Sequence, residues 1–193
     1  MKNICVFCGS SAGNNNIYTD LARSLGRLIA SKGMRLVYGG GDVGLMGIIA
    51  DAVLASGGEV IGVIPHFLDE REVGHQNLTE LIRVDSMHQR KLLMSEKSDG
   101  FLAMPGGFGT LEELAEILTW VQLSILNKPV GMLNVNGFYN YLSEQLNHMV
   151  TAGFLKQENR EILIEREDPE ELLTAMLSYK AKKVGKWISP DKT

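Results

Sequence analysis

Two adjacent carboxylates, Glu112 and Glu113, follow directly on a glycine-rich turn, Pro105-Gly106-Gly107-Phe108-Gly109-Thr110-Leu111. Glycines at 106, 107 and 109 let the backbone turn tightly and approach a ligand closely. An apolar run from Gly100 to Met104 precedes the turn, and an amphipathic stretch from Leu114 to Leu123 follows it. That order reads as strand, turn and helix start, and the free N–H groups of a helix start attract an anion such as phosphate. A carboxylate beside a phosphate cradle points to chemistry on a phosphorylated substrate as well as to its binding. Thr110 and Glu113 also have the spacing of a capping box, which would tie the same carboxylate to the helix backbone; both roles can hold.

Two further glycine turns follow apparent strands: Gly9-Ser10-Ser11-Ala12-Gly13, and Gly39-Gly40-Gly41-Asp42-Val43-Gly44-Leu45-Met46-Gly47. In an open parallel sheet ligands bind beyond the carboxyl ends of the strands, so the three turns gather on one rim and predict a nucleotide-type pocket. Ser10, Gly40, Gly41, Gly44 and Met46 are its candidate lining, with Met87 and His88 from a neighbouring helix. Gly39, Gly41 and Gly44 fit the G-x-G-x-x-G pattern, but the acidic Glu59 opens the next strand instead of closing it. The residue that would hold a ribose hydroxyl of a dinucleotide is therefore misplaced, and no nicotinamide cofactor is expected.

Arg90 and Lys91 lie on a helix that begins with the capping box Ser86-x-x-Gln89. An arginine cannot act as a general base. It can clamp a phosphate or ribose, or hydrogen-bond a leaving purine as negative charge grows there. Glu112 and Glu116 are i, i+4 neighbours, and Thr119 extends the same helix face. His88 reads as a structural histidine rather than an acid catalyst. His66, His75, His88 and His148 lack the close spacing of a zinc site, so no metal is expected.

The elements that must position these residues alternate. Strands are expected at 3–8, 35–38, 59–64, 81–84, 100–104, 129–134 and 162–164. Helices are expected at 18–32, 45–56, 87–97, 110–124, 138–152 and 169–180. The strands read as continuous apolar runs, which suits a parallel sheet covered on both faces. The fold class is α/β: a single-domain, Rossmann-like, doubly wound parallel sheet flanked by helices, over residues 1–180, with a basic tail at 181–193. Residues 65–77 form the longest irregular stretch and suit an active-site lid. Cys5 and Cys8 have C-x-x-C spacing but sit in a strand, where positions three apart face opposite ways, so two buried, reduced thiols are expected.

With 19 Lys and Arg against 23 Asp and Glu, the net charge of −4 argues against nucleic acid as a partner. No run approaches the ~20 apolar residues of a membrane span, and the apolar run at 4–8 is too short for a signal peptide. The chain is expected to be soluble and cytoplasmic. Met and Leu residues on helical faces favour an oligomer over a monomer.

Together, PGGFGTLEE (105–113), GGGDVGLMG (39–47), FCGSS (7–11) and DSMHQRK (85–91) resemble the LOG ("lonely guy") family, cytokinin riboside 5′-monophosphate phosphoribohydrolases long mislabelled as lysine decarboxylases. The resemblance covers nearly the whole chain. It implies hydrolysis of the N-glycosidic bond of an N6-modified adenosine 5′-monophosphate, or of AMP itself, to the free base and ribose 5-phosphate, with no cofactor. By the same matching Arg90 and Glu113 are the catalytic pair. Lys91, Gly106, Gly107, Phe108, Gly109, Thr110, Leu111, Glu112 and Thr119 would line the substrate, as would Glu72. Family members form homodimers whose helices contribute to the pocket. Glycosidic cleavage passes through an oxocarbenium-like ribosyl cation, which a carboxylate near the anomeric carbon stabilises. Two other readings compete: a non-catalytic nucleotide or molybdenum-cofactor-type carrier on the same fold, and an amino-acid decarboxylase. The decarboxylase needs a lysine aldimine with pyridoxal and an acidic partner for its ring, and nothing around Lys91, Lys97 or Lys128 forms one.

Overall fold

The computed structural model describes residues 1–72 and 74–180, the side chains of 70–73 excepted; the predicted basic tail, 181–193, lies outside the described residues. Seven strands form one sheet: β1 (Asn3–Phe7), β2 (Arg35–Tyr38), β3 (Val60–Pro65), β4 (Glu80–Val84), β5 (Gly100–Ala103), β6 (Val130–Leu133) and β7 (Leu163–Arg166). Their order is β4-β3-β2-β1-β5-β6-β7, and every pairing is parallel. β3, β5 and β6 are buried throughout, and β1 and β2 are buried past their first residue, as their apolar runs require. The edge strands β4 and β7 carry Glu80, Arg83, Glu165 and Arg166, charges that discourage further strand pairing.

Helices cover both faces. They are α1 (Asn16–Ser31), α2 (Gly44–Ala55), α3 (His66–Glu72), α4 (Met87–Lys97), α5 (Phe108–Gln122), α6 (Asn140–Thr151), α7 (Gln157–Arg160) and α8 (Pro169–Leu177). One core packs α1, α2 and α8 against the sheet through residues such as Leu25, Ile29, Ile49 and Leu172. The other packs α4 and α5 on the opposite face through Met94, Leu114 and Ile117. Cys5 belongs to the second core and Cys8 to the first, and both are free thiols. Each expected strand and long helix is present to within a few residues. Two short helices, α3 and α7, stand where no helix was expected. In α3 the sequence HFLDERE holds too few apolar residues to show a helical stripe.

The chain reverses its winding direction at β1, which pairs with β2 on one side and β5 on the other. Such a switch point opens a crevice beyond the strand ends. Here the three glycine turns meet, backbone against backbone. Gly9 N–H donates to Pro105 O at 3.1 Å, and Leu45 N–H donates to Gly9 O at 3.0 Å. A Cβ on Gly106 would lie 2.1 Å from Thr110 Oγ1 and 2.9 Å from the Gly9 nitrogen. Gly44 has φ +58°, and a Cβ there would meet the Ser10 carbonyl carbon at 2.3 Å.

Gly44→Ala should therefore cost about 1–3 kcal/mol from backbone strain alone, with the steric conflict added. Chemical denaturation should show a lowered midpoint. An unchanged midpoint would mean that the contact between the first two turns relaxes freely.

Candidate active site

The pocket beyond β1 and β5 has a volume of about 760 Å³, its open mouth included. Its walls come from the first glycine turn (Gly9, Ser10), the start of the second (Gly39), the third (Gly107–Thr110), and Arg90 with Glu112 and Glu113. Met46, Leu68 and Met87 supply apolar lining.

Helix α5 starts at Phe108, and its N-cap, Gly107, offers no side-chain hydrogen bond. Helix geometry leaves the amides of Phe108, Gly109 and Thr110 without intrahelical acceptors. They face the pocket rim as an anion site. The capping box expected between Thr110 and Glu113 is not formed. The helix begins two residues before Thr110, so that both residues lie inside it. Glycine at the N-cap leaves the anion site unblocked, where a serine or aspartate would fill it with its own oxygen.

Glu113 is 9 % exposed. Burial pushes its carboxyl above the ordinary range; Arg90 draws it back down, and Glu112 pushes it up. Arg90 reaches the pocket from α4. Its Nε donates to the Val63 carbonyl at 3.2 Å, and Nη2 stands 3.6 Å from Glu113 Oε1. Gly39 forms the wall behind the guanidinium, since a Cβ there would lie 1.9 Å from Nη2. Removing either partner of such a buried pair strands the other charge. Ser86 caps α4 through Gln89 N–H, and the return bond from Gln89 Oε1 reaches the Asp85 amide.

Lys91 is expected to line the substrate, but its ammonium is already engaged, by Glu112 at 2.5 Å and Glu116 at 3.0 Å. Burial alone would lower its pKa; these two hydrogen bonds outweigh that and raise it. The cluster leaves Glu113 as the pocket carboxylate not tied to a lysine.

Of the other expected residues, Ser10, Met46, Met87, Gly107, Phe108, Gly109 and Thr110 line the pocket. Gly106 faces a neighbouring hollow with Tyr18 and Phe138. Gly40 packs against Ile64 and Leu81, and Gly44 against Ser10, so both shape the turn without lining the pocket. Gly41 pairs with Gly74. Leu111 packs on the core, His88 is exposed, and Thr119 bonds Ala115 O further along α5. The side chain of Glu72 lies outside the described residues. Five lining residues were not among the candidates: Val6, Cys8, Gly9, Gly39 as a direct wall, and Leu68. Gly39 was detectable as the first residue of a glycine turn; Leu68 carries no local signal.

A carboxyl-carbon NMR titration should find Glu113 protonating at higher pH than the exposed glutamates, because its pKa is raised. In Arg90→Met the midpoint should move up again, since the cation that favours the carboxylate is gone. A midpoint with the surface glutamates would contradict this electrostatic picture.

Known proteins share this arrangement. A protein-family model described as "Possible lysine decarboxylase" matches residues 46–176. Cytokinin riboside 5′-monophosphate phosphoribohydrolase LOG1 of Arabidopsis thaliana is 49 % identical over 92 % of this chain and 84 % of its own length. LOG5 of the same plant is 45 % identical, over 93 % and 78 %. Among solved structures, the molybdenum cofactor carrier protein of Chlamydomonas reinhardtii aligns with TM-score 0.68 at 19 % identity, over 92 % of this chain and 96 % of that one. The molybdenum cofactor binding protein of Rippkaea orientalis aligns with TM-score 0.67 at 22 % identity, over 91 % and 94 %. These two share the fold. Identity of 45 and 49 % over more than nine-tenths of this chain, together with the family-model match, makes the conclusion plain: the chain belongs to the LOG family of cytokinin riboside 5′-monophosphate phosphoribohydrolases.

Proposed function

We propose that this protein hydrolyses the N-glycosidic bond of adenosine 5′-monophosphates, both N6-modified forms and AMP, releasing the base and ribose 5-phosphate. The observation that carries the proposal is the buried Glu113–Arg90 pair set just below a free helix N-terminus. The 5′-phosphate sits on the amides of Phe108 to Thr110. Glu113 lies about 6 Å down the helix axis from Gly109, at 1.5 Å per residue. Helical side chains lean back towards the N-terminus, so its carboxylate approaches the anomeric carbon of a ribose anchored by that phosphate. There it stabilises the ribosyl cation and orients the attacking water. As the C1′–N9 bond breaks, its electron pair goes to the purine; water adds to C1′, Glu113 takes the water's proton, and the purine picks up a proton to leave as the free base. Arg90 offers hydrogen bonds to the ribose or to the departing base. The base packs against Met46, Leu68 and Met87.

The carrier reading rests on the shared fold alone and gives no role to a buried carboxylate beside the guanidinium. The decarboxylase reading fails on chemistry: among the described residues no lysine lines the pocket, and Lys91 is held by two carboxylates.

We also propose a homodimer. Leu92 on α4 and Leu123 and Ile125 after α5 are half-exposed or more, on the sheet face those two helices share. No described helix is long and apolar enough to cross a membrane. The two free thiols suit a reducing compartment and support a cytoplasmic location.

Chromatography after incubation with AMP or N6-isopentenyl-AMP should show free base, and adenosine should yield none. Glu113→Gln should keep nucleotide binding and lose turnover by a factor of about 100 or more. Its rate at wild-type level would remove the catalytic assignment, and no base from either monophosphate would favour the carrier. Sedimentation should give twice the chain mass, and Leu123→Glu with Ile125→Glu should shift it to one; a monomeric wild type would end the dimer proposal.

A further inference from the structure

His75 is 3 % exposed and stands outside the pocket, yet its backbone N–H and both ring nitrogens are engaged. Its backbone N–H donates to Gly40 O at 3.0 Å. Gly74, just before it, pairs with Gly41 in an isolated antiparallel bridge. On the ring, Nδ1 accepts the Asn77 N–H at 3.2 Å, and Nε2 lies 3.0 Å from Asp51 Oδ1 and 3.7 Å from Asp42 Oδ1.

Asp42, Asp51 and His75 together have the look of a cation site. The ring hydrogen bonds argue otherwise. A neutral imidazole carries one proton, and the Asn77 amide claims the Nδ1 lone pair, so the proton is on Nε2 and points at Asp51. A metal on Nε2 would need that lone pair free and Nδ1 protonated, which would set two N–H groups against each other. The trio is therefore a staple. It joins three pieces of chain: the segment after α3, the α2 helix through Asp51, and the glycine turn after β2 through Gly40, Gly41 and the neighbouring Asp42.

The turn held by this staple begins with Gly39, the wall against which the Arg90 guanidinium rests. Gly39 has no side chain with which to hold Arg90. Its position depends on what fixes residues 40–42: the packing of Gly40 on Ile64 and Leu81, the bond from His75 N–H to Gly40 O, and the bridge between Gly41 and Gly74. We propose that His75 is a positioning residue: its ring anchors the segment after α3 to Asp51 of α2, and the backbone of that segment holds the glycine turn that walls Arg90 against Glu113. The part of this that concerns turnover rests on the function proposed above.

The test uses His75→Leu and His75→Gln in the full chain. Asp42 and Asp51 are both water-accessible, so removing the imidazole strands no buried charge and the leucine variant should fold. Two readouts are expected to move in His75→Leu. The Glu113 titration midpoint should rise towards its value in Arg90→Met as the guanidinium withdraws. With AMP, kcat should fall about tenfold or more while KM changes little, because the phosphate anchor on α5 is untouched. His75→Gln, which keeps an N–H donor for Asp51, should recover most of both. If the Glu113 midpoint stays at the wild-type value, or if kcat is unchanged while only thermal stability falls, His75 is a structural staple and the proposal is overturned. If wild-type protein turns over no monophosphate, the functional reading fails, but the Glu113 midpoint still decides whether His75 positions Arg90.

Discussion

No side chain fits between the turn after β1 and the turns after β2 and β5. That constraint shapes the rest of the molecule. Gly44 touches the Ser10 carbonyl, and Gly106 touches both Gly9 and Thr110. Because the contacts are between backbones, the amide groups at the crevice stay directed towards a ligand and are not hidden behind side chains. The parallel order, with β1 at the centre, is what brings the three turns within reach of each other. Two apolar cores, one on each face, hold the strands in that order. The site rests on a base in which three glycine turns pack main chain against main chain.

Onto that base the protein sets a buried ion pair, an arrangement that does little for stability by itself. The desolvation of two charges can match or exceed their mutual attraction. Arg90 and Glu113 stand 3.6 Å apart, further than a close hydrogen-bonded pair, so each keeps unspent capacity. The neighbouring Lys91, by contrast, is bound closely between Glu112 and Glu116. One group of charges is thus closed on itself and the other is open to the pocket. The open pair is the one that a substrate carrying a developing positive charge can satisfy.

Much of the fold was legible because the inner strands of a parallel sheet read as apolar runs, and three of them, β1, β2 and β5, lead into glycine turns. Short polar helices do not: α3 carries a run of charges with no stripe, so 65–77 reads as irregular. At the site, glycine turns and carboxylates were legible through local backbone demands, and Ser86 and Gln89 declared their cap in the same way. Thr110 and Glu113 misled, because the capping-box spacing is real but Gly107 already serves as the cap. Lys91 misled because its partners Glu112 and Glu116 lie on another helix, and spacing along one helix cannot show them. His75 is distant in sequence from Asp42 and Asp51 and meets them only when the segment after α3 reaches the second turn. Contacts of that kind depend on tertiary packing and leave no periodic trace.

Helix α5 explains why so few residues suffice. In the proposed reaction a single helix provides the phosphate anchor at its first turn and the carboxylate one turn further on. The distance between them is fixed by helix pitch and needs no loop to maintain it. Binding energy from the phosphate, which takes no part in bond breaking, can then hold the anomeric carbon next to Glu113. A nucleoside without the phosphate has the same reacting bond but nothing to place it there. Arg90 is the one component that α5 does not supply. It comes from α4, and its position depends on Val63 O and on a glycine wall that cannot grip. The guanidinium is also held by Met87 Sδ, but the glycine wall behind it offers no side chain, and that wall is where the contacts proposed for His75 would act.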